Sequence, residues 1–234
     1  MNILAIDTSN QVLGIAILGD GQIIGEMITN VKKNQTSRLM PAIHQLMEDI
    51  DMVPDQLDKI VVAKGPGSYT GVRIGVTTAK SLAWALSIPV VGISSLEVLA
   101  YQGRLYDSLI CPFFDARRMA VFTGLYKWEE NKLIQIIDEK NIGMEEWLKV
   151  IKQYEKEILF VSPDIKSFNQ MIVAELGSLA IIPEKPFHLP KPSHLALAGL
   201  RRSPDETHTL APNYLRMAEA EANWLKSQGI QTNE

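Results

Sequence analysis

The chain is poor in cysteine and contains no hydrophobic run long enough to span a membrane. Cys111 is its single cysteine, so a disulfide within the chain is excluded and a reducing compartment is favoured. Cys111 lies in an apolar run, residues 109–114, where we expect a small buried side chain. No signal-peptide pattern opens the sequence. These features predict a cytoplasmic protein with no membrane association.

The chain also lacks an excess of positive charge. It has 23 Lys and Arg residues against 27 Asp and Glu residues, a net charge of −4. This balance argues against strong, sequence-independent binding of nucleic acid by the chain alone. Short basic pairs occur at residues 32–33, 117–118 and 201–202, and solvated faces explain them as well as an RNA path would.

No metal-binding or peptidase motif is present. The four histidines, His44, His188, His194 and His208, are isolated from one another and show no ligand spacing. A His-Glu-x-x-His motif does not occur, so zinc peptidase chemistry has no visible ligands. We therefore predict no metal site.

The most informative segment that is present is a glycine-rich elbow at residues 65–71, between a strand and a helix. Gly65 and Gly67 can adopt positive φ, and Ser68 and Thr70 can cap the helix. Free N–H groups at a helix N-terminus bind anions, and Arg73 adds a cation. The spacing is neither that of a P-loop nor that of a dinucleotide loop. A structural role and an anion-binding role both remain open for this elbow.

The order of predicted elements is β-β-β-α-β-α-β-α, followed by a weaker repeat of the same order. Because each set needs its own core, we expect two α/β lobes with a cleft between them. The first lobe is predicted to contain strands at 2–7, 12–18, 22–29, 60–63 and 90–93, with helices near 39–50 and 72–86. The second is predicted to contain strands at 109–114, 120–126, 133–137, 158–161 and 179–182, and helices near 144–154, 168–176 and 194–200.

Residues 3–9 resemble the first phosphate loop of the actin/Hsp70/sugar-kinase superfamily. Three further segments, residues 65–73, 115–118 and 212–216, resemble the TsaB (YeaZ) family of that superfamily. The resemblance covers nearly the whole chain and implies two actin-like lobes, at residues 1–105 and 106–210. It also implies that residues 211–234 pack back on the first lobe.

The resemblance further implies a function in making N6-threonylcarbamoyladenosine in tRNA, just 3′ of the anticodon. In this family the chain is a non-catalytic scaffold that activates TsaD, the related transferase, together with the ATPase TsaE. It pairs with TsaD, or with a second copy of itself when TsaD is absent, and reaches tRNA only through the complex. The catalytic relative holds its metal with a histidine pair that residues 34–41 of this chain lack.

At the cleft, the resemblance implies at most a weak or vestigial nucleotide or anion site, with ATP bound only in the assembled complex. No catalytic residue is predicted; Asp7 is interpreted as structural, either capping its own turn or neutralising Arg73. Asp115 could face it across the cleft or simply form a turn, and Tyr69 could stack on a base or form a hinge contact. The candidate site residues are Asp7, Thr8, Ser9, Gly65, Gly67, Ser68, Tyr69, Thr70, Gly71 and Arg73.

The two helices of the first lobe carry more apolar residues than one sheet face needs, which predicts a partner surface. The alternative is that these residues complete the lobe's own core. The candidate interface residues are Met40, Ile43, His44, Met47, Val76, Ala79, Lys80, Ala83 and Trp84.

Two other functions would each account for part of the sequence pattern. An ATP-dependent phosphotransferase of the sugar- or acetate-kinase type would explain residues 7–9 and the glycine elbow. The second lobe, however, is short and has no second clear glycine-rich loop. A peptidase is disfavoured by the missing ligands.

Overall fold

The computed structural model describes residues 1–31 and 34–216. Its first lobe contains a five-stranded sheet in the order β3-β2-β1-β4-β5. The first three strands are antiparallel neighbours, and β4 and β5 continue the sheet in parallel with β1. The strands are β1 (Asn2–Asp7), β2 (Val12–Gly19), β3 (Gln22–Asn30), β4 (Lys59–Ala63) and β5 (Val90–Ile93), and the helices are α1 (Leu39–Asp49), α2 (Tyr69–Leu86) and α3 (Ser95–Ala100).

The second lobe repeats this topology. Its sheet order is β8-β7-β6-β9-β10, which corresponds strand for strand to β3-β2-β1-β4-β5 of the first sheet. The predicted repeat of two α/β lobes is therefore confirmed. The strands are β6 (Leu109–Arg117), β7 (Ala120–Glu129), β8 (Lys132–Gly143), β9 (Ile158–Val161) and β10 (Ala180–Ile181), and the helices are α4 (Met144–Lys152) and α5 (Ile165–Leu176).

Local sequence signals explain where several elements begin and end. The hairpin between β2 and β3 turns at Asp20 and Gly21, both with positive φ, as its glycine-rich sequence predicts. Ser68 caps α2 by accepting from the N–H of Gly71, and Ser94 caps α3 by accepting from two backbone N–H groups. A side-chain oxygen at this position satisfies a donor that the helix itself cannot pair.

One helix lies on a different lobe from the one predicted. Helix α6 (Pro192–Leu200) packs against β1 and β2 of the first sheet, and its Leu195 and Ala196 share a core with Ile3 and Ala5. Because α1 and α2 cover the opposite face, β1 and β2 are buried on both sides. The chain therefore returns to the first lobe before residue 192, and the predicted boundary at 210 is too late.

The segment that follows also contacts the first lobe. The carbonyl oxygen of Lys64 accepts from the N–H of Asn213 at 2.6 Å, and that of Leu210 accepts from the Lys80 ammonium group at 2.9 Å. The prediction that 211–234 packs on this lobe can be followed only to residue 216; the rest lies outside the described residues.

The lobes share a small hydrophobic core on one side of the cleft. Leu96 and Leu99 of α3 pack with Phe114 and Leu159 of the second sheet. Beside this core, the Glu139 carboxylate of β8 accepts hydrogen bonds from Ser94 and from Tyr126. Over residues 1–31 and 34–216, no helix is long and apolar enough to cross a membrane.

Candidate functional site

The glycine elbow links β4 to α2 and lines the interlobe cleft. Gly65 has a φ of 98°, which a residue with a Cβ atom would adopt only under strain. Its carbonyl oxygen accepts from the N–H of Ser95 at 2.9 Å, tying the elbow to the start of α3.

The chain's own first loop fills the elbow. The N–H of Ser68 donates to the carbonyl oxygen of Ser9 at 2.6 Å. The Thr8 hydroxyl donates to the carbonyl oxygen of Gly71 at 2.7 Å. A backbone carbonyl group, with its partial negative charge, thus accepts from the helix N-terminus where an anion could have bound, which favours the structural role of the elbow.

Glycine is required in the elbow because these two backbone segments touch. A Cβ atom at Gly67 would collide with the Ser9 carbonyl group, and one at Gly71 with the Thr8 carbonyl oxygen. Both Gly65 and Gly67 could adopt positive φ or permit close approach of another group, and only Gly65 has positive φ. Gly67 permits close approach of another backbone segment instead.

Asp7 is buried at the end of β1 and faces its own turn. Its Oδ1 accepts from the Ser9 N–H at 2.8 Å and from the Ser9 hydroxyl at 2.7 Å. Burial raises the pKa of the Asp7 carboxyl group, although the two Ser9 hydrogen bonds oppose this effect. Oδ2 is buried and has no hydrogen-bond partner within the described residues. Asp7 does not line the cleft, and this geometry favours the turn-capping interpretation.

Arg73 does not neutralise Asp7. Its guanidinium group is exposed and donates to the Tyr69 hydroxyl at 2.8 Å. The Tyr69 ring stacks on Tyr214, with 5.2 Å between the ring centroids. No ion pair joins Arg73 to Asp7 in the part of the chain that the structure describes. The interpretation of an Asp7–Arg73 pair was wrong because the first turn of α2 directs Arg73 to the surface.

The cleft between the lobes has a volume of about 860 Å³, within the range of small-ligand sites. One wall comes from the first loop, the elbow and the segment 213–216, and the other from β6, its hairpin to β7 and the start of α5. Within the described part of the chain, three arginines and two carboxylates line the cleft, namely Arg117, Arg118, Arg216, Asp115 and Asp164. Arg73 lines an adjoining pocket that shares Tyr69 and Thr70 with the cleft.

Both carboxylates hold the β6–β7 hairpin in place. Asp115 Oδ1 accepts from the N–H of Arg117 at 2.7 Å, and Asp164 Oδ2 accepts from the N–H of Asp115 at 2.9 Å. Burial raises the pKa of the Asp164 carboxyl group. Of the two roles proposed for Asp115, facing Asp7 across the cleft or forming a turn, these hydrogen bonds favour the turn.

Five of the nine predicted interface residues are core residues. Ile43, Met47, Val76, Ala79 and Ala83 are buried between the first sheet and its two helices. They cannot present a partner surface without unfolding the lobe, so the core alternative is correct for them. These five residues form the apolar faces through which α1 and α2 pack on the first sheet.

The remaining four lie on or near the surface. Met40 is 46% exposed and Trp84 is 71% exposed, while His44 lies 3.5 Å from Glu48 on the outer face of α1. Lys80 donates to the carbonyl oxygens of His208 and Leu210, so it holds the chain's own C-terminal segment.

The described residues contain no group of three or more His, Cys, Asp or Glu side chains placed to hold a metal ion. His188 is buried; its Nδ1 accepts from the N–H of Ser162 at 3.2 Å, and its Nε2 lies 2.9 Å from the carbonyl oxygen of Pro183. Burial lowers the pKa of His188, and its contacts describe a structural histidine.

Sequence reasoning did not select Arg117, Tyr214 or Arg216 as site residues. All three line the cleft, and Arg216 donates to the carbonyl oxygen of Ala116 at 3.1 Å, joining the C-terminal segment to the second lobe. The available signals were the basic pair at 117–118 and the aromatic residue in segment 212–216. Neither indicates which wall of a cleft it will occupy.

Two lobes of repeated topology, joined by a shared core and separated by a cleft, define an actin-like fold. A family model described as "TsaD: tRNA N6-adenosine threonylcarbamoyltransferase" matches residues 22–224. The chain is 51% identical over 228 residues to the tRNA threonylcarbamoyladenosine biosynthesis protein TsaB of Bacillus subtilis, covering 97% of this chain and 100% of the relative. The chain belongs to the TsaB (YeaZ) family.

Other similar proteins agree with this assignment. TsaB of Escherichia coli is 30% identical over 134 residues, covering 56% of this chain and 57% of that protein. The structure of YeaZ from Pseudomonas aeruginosa superposes with a TM-score of 0.77 at 24% identity, covering 92% of this chain and 99% of that one. The superposition supports the fold.

Proposed function

We propose that this chain is a non-catalytic subunit in the synthesis of N6-threonylcarbamoyladenosine in tRNA, acting in the cytoplasm with TsaD and TsaE. Family membership supports the pathway, since both the matching family model and the Bacillus subtilis relative are named for this modification. In this assembly TsaD transfers the threonylcarbamoyl group, and this chain activates it by binding.

The observation that carries the non-catalytic role is the filled elbow. Ser9 of the first loop occupies the glycine elbow through its carbonyl oxygen and Thr8 through its hydroxyl group, and Asp7 is buried away from the cleft. A phosphate could enter the elbow only if the first loop moved. We propose that the chain has no cofactor of its own and that ATP binds only in the assembled complex.

The proposed partner surface is the outer side of α1 and α2, now reduced to its exposed members Met40, His44 and Trp84. A tryptophan that is 71% exposed costs solvation free energy in the isolated chain, and tryptophan is among the side chains most enriched in interface hot spots. We propose that this surface binds TsaD, and a second copy of the chain when TsaD is absent.

Reconstitution tests the proposal. The chain is mixed with TsaD, TsaE, threonylcarbamoyl adenylate, ATP and unmodified tRNA, and each component is omitted in turn. We expect modified tRNA only when this chain and TsaD are both present, and no ATP hydrolysis by this chain alone. ATP turnover by the isolated chain that Asp7→Ala abolishes would favour the phosphotransferase alternative.

A matched pair of surface variants tests the partner surface. Trp84→Asp should abolish capture of TsaD and the homodimer. Val173→Asp, at a 49% exposed position on α5, should leave both unchanged. Equal TsaD binding by the two folded variants would place the interface elsewhere.

A further inference from the structure

The mouth of the interlobe cleft carries an arginine and tyrosine cluster that the proposed scaffold role does not use. We infer that this cluster is a direct binding site for a single-stranded segment of RNA, with phosphates on the arginines and an unpaired base on the tyrosines. The cluster consists of Arg73, Tyr69, Tyr214, Arg216, Arg117 and Arg118.

Charge is the first reason. The whole chain has a net charge of −4. Among the residues that the structure describes, three arginines line the cleft and a fourth, Arg73, lines an adjoining pocket, whereas two carboxylates line the cleft. Both carboxylates accept hydrogen bonds from backbone N–H groups of the hairpin or its strand. Arg117 is exposed at the hairpin. A local excess of arginine on an acidic protein is the pattern expected of a phosphate-binding surface.

Aromatic exposure is the second reason. Tyr69 and Tyr214 stack on each other and remain 48% and 45% exposed. Exposed aromatic rings beside arginines are the common components of sites for unpaired nucleic acid, because bases stack on the rings while the cations follow the backbone.

Backbone conformation is the third reason. Arg117, Arg118 and Met119 have φ values of 67°, 54° and 61°, in the left-handed region that non-glycine residues seldom occupy. Arg118 and Met119 are the two central residues of the hairpin turn, where Asn and Gly are preferred. Strain of this kind collects at functional sites, and here it places two arginines on the cleft wall facing the first lobe.

The site also spans both lobes. Tyr69 belongs to the first lobe and the hairpin to the second, and Arg216 bridges them through its hydrogen bond to the Ala116 carbonyl oxygen. An RNA strand lying in the cleft would therefore contact both lobes at once. The identity of this RNA as a tRNA rests on the proposed function, whereas binding of RNA does not.

The test measures binding of an unmodified anticodon stem-loop RNA to the full-length chain and to its complex with TsaD, by fluorescence anisotropy at several salt concentrations. Arg117→Glu should weaken binding and make the dependence of log affinity on log salt shallower by about 0.7, the value for one lost contact to a single strand. Tyr214→Ala should weaken binding by about fivefold or more, and Tyr214→Phe should retain it because the ring still stacks.

The controls repeat each chemical change outside the cleft. Arg201→Glu alters an exposed arginine after α6, and Tyr154→Ala removes a tyrosine that is exposed beyond α4. Both should bind RNA like the wild type, and circular dichroism should show all variants folded. Wild-type binding by the two cleft variants, or equal losses in the controls, would overturn the inference.

Two further measurements separate this inference from others. Capture of TsaD should be unchanged in Arg117→Glu and Tyr214→Ala; loss of TsaD binding with RNA binding intact would make the cleft a protein interface and overturn the inference. ATP is titrated separately, and cleft variants that lose only ATP binding would assign a free-nucleotide site instead. Failure of TsaD capture by the wild type would count against the proposed function alone.

Discussion

The N–H of Ser68 donates to the carbonyl oxygen of Ser9 across 2.6 Å. This contact joins the first loop of the chain to the N-terminus of α2. It also means that the donor which Ser68 would offer to a phosphate is already paired. The elbow therefore packs against the first loop as part of the structure of the first lobe. The surface available for ligands lies further out, at the mouth of the cleft.

Because the first loop packs directly against the elbow, we expect that Gly71 does not tolerate a larger side chain. Gly71→Ala should lower the free energy of unfolding by about 1–3 kcal/mol or more, because the added methyl group meets the Thr8 carbonyl oxygen. Gly143→Ala is the matched control, since no atom lies within 4 Å of its added Cβ, and it should cost less than about 1 kcal/mol at this helix cap. Urea denaturation measures both; equal losses would show that the loop and elbow do not touch as described.

We expect Asp7 to stabilise the fold through its hydrogen bonds to Ser9 rather than through its charge. Asp7→Asn keeps an oxygen that can accept from Ser9, so folding and the activity of the reconstituted complex should be retained. Asp7→Ala leaves the buried Ser9 donors unpaired and should cost about 1–3 kcal/mol. Denaturation and tRNA modification assays compare the two variants. Loss of activity in a stably folded Asp7→Asn would point to a required carboxylate.

Substitution by aspartate at the neighbouring positions Ala83 and Trp84 of α2 should have different effects, on stability at Ala83 and on partner binding at Trp84. Ala83 is 1% exposed, so Ala83→Asp buries an unpaired charge and should destabilise the fold by about 3–5 kcal/mol. Trp84→Asp changes an exposed position and should alter stability by no more than about 0.5 kcal/mol, while partner binding is lost. Thermal unfolding and size-exclusion chromatography distinguish these effects; a folded Ala83→Asp that merely dissociates would restore it to the interface.

Stability should fall in mild acid because of His194. Its Nδ1 is buried without a hydrogen-bond partner within residues 1–31 and 34–216. The pKa of His194 is lowered to about 4, chiefly by burial and to a smaller extent by Lys191, while Glu26 opposes the shift. Above pH 6.5 the imidazole is neutral in both states. As pH falls toward 4, the unfolded chain takes up the proton first, so roughly 2–3 kcal/mol of stability is lost.

The variant His194→Gln should remove this part of the pH dependence. Unfolding free energies measured between pH 4 and 7 provide the comparison, and parallel curves for His194→Gln and the wild type would contradict the prediction.

Strand and helix positions followed from local chemistry. Alternating or continuous apolar runs, the turn at Asp20 and Gly21, and the capping serines Ser68 and Ser94 place most elements within a few residues of their observed ends. These signals act over a few residues along the chain, which is why sequence alone carries them. The predicted β8 was shorter than the observed Lys132–Gly143 because the second half of this edge strand, residues 138–143, is mostly polar and lacks apolar alternation.

The sequence by itself determined the family, the repeated α/β order, the capping of α2 and the need for glycine in the elbow. Tertiary structure decided what those glycines face, which side of α1 and α2 is core, and which lobe α6 covers. It also decided that Arg73 meets Tyr69 and Tyr214 instead of Asp7. These outcomes depend on contacts between residues far apart along the chain, such as Tyr69 with Tyr214 and Ile3 with Leu195. Local patterns fix a residue's conformation, whereas its partner is set by how the sheets and helices pack.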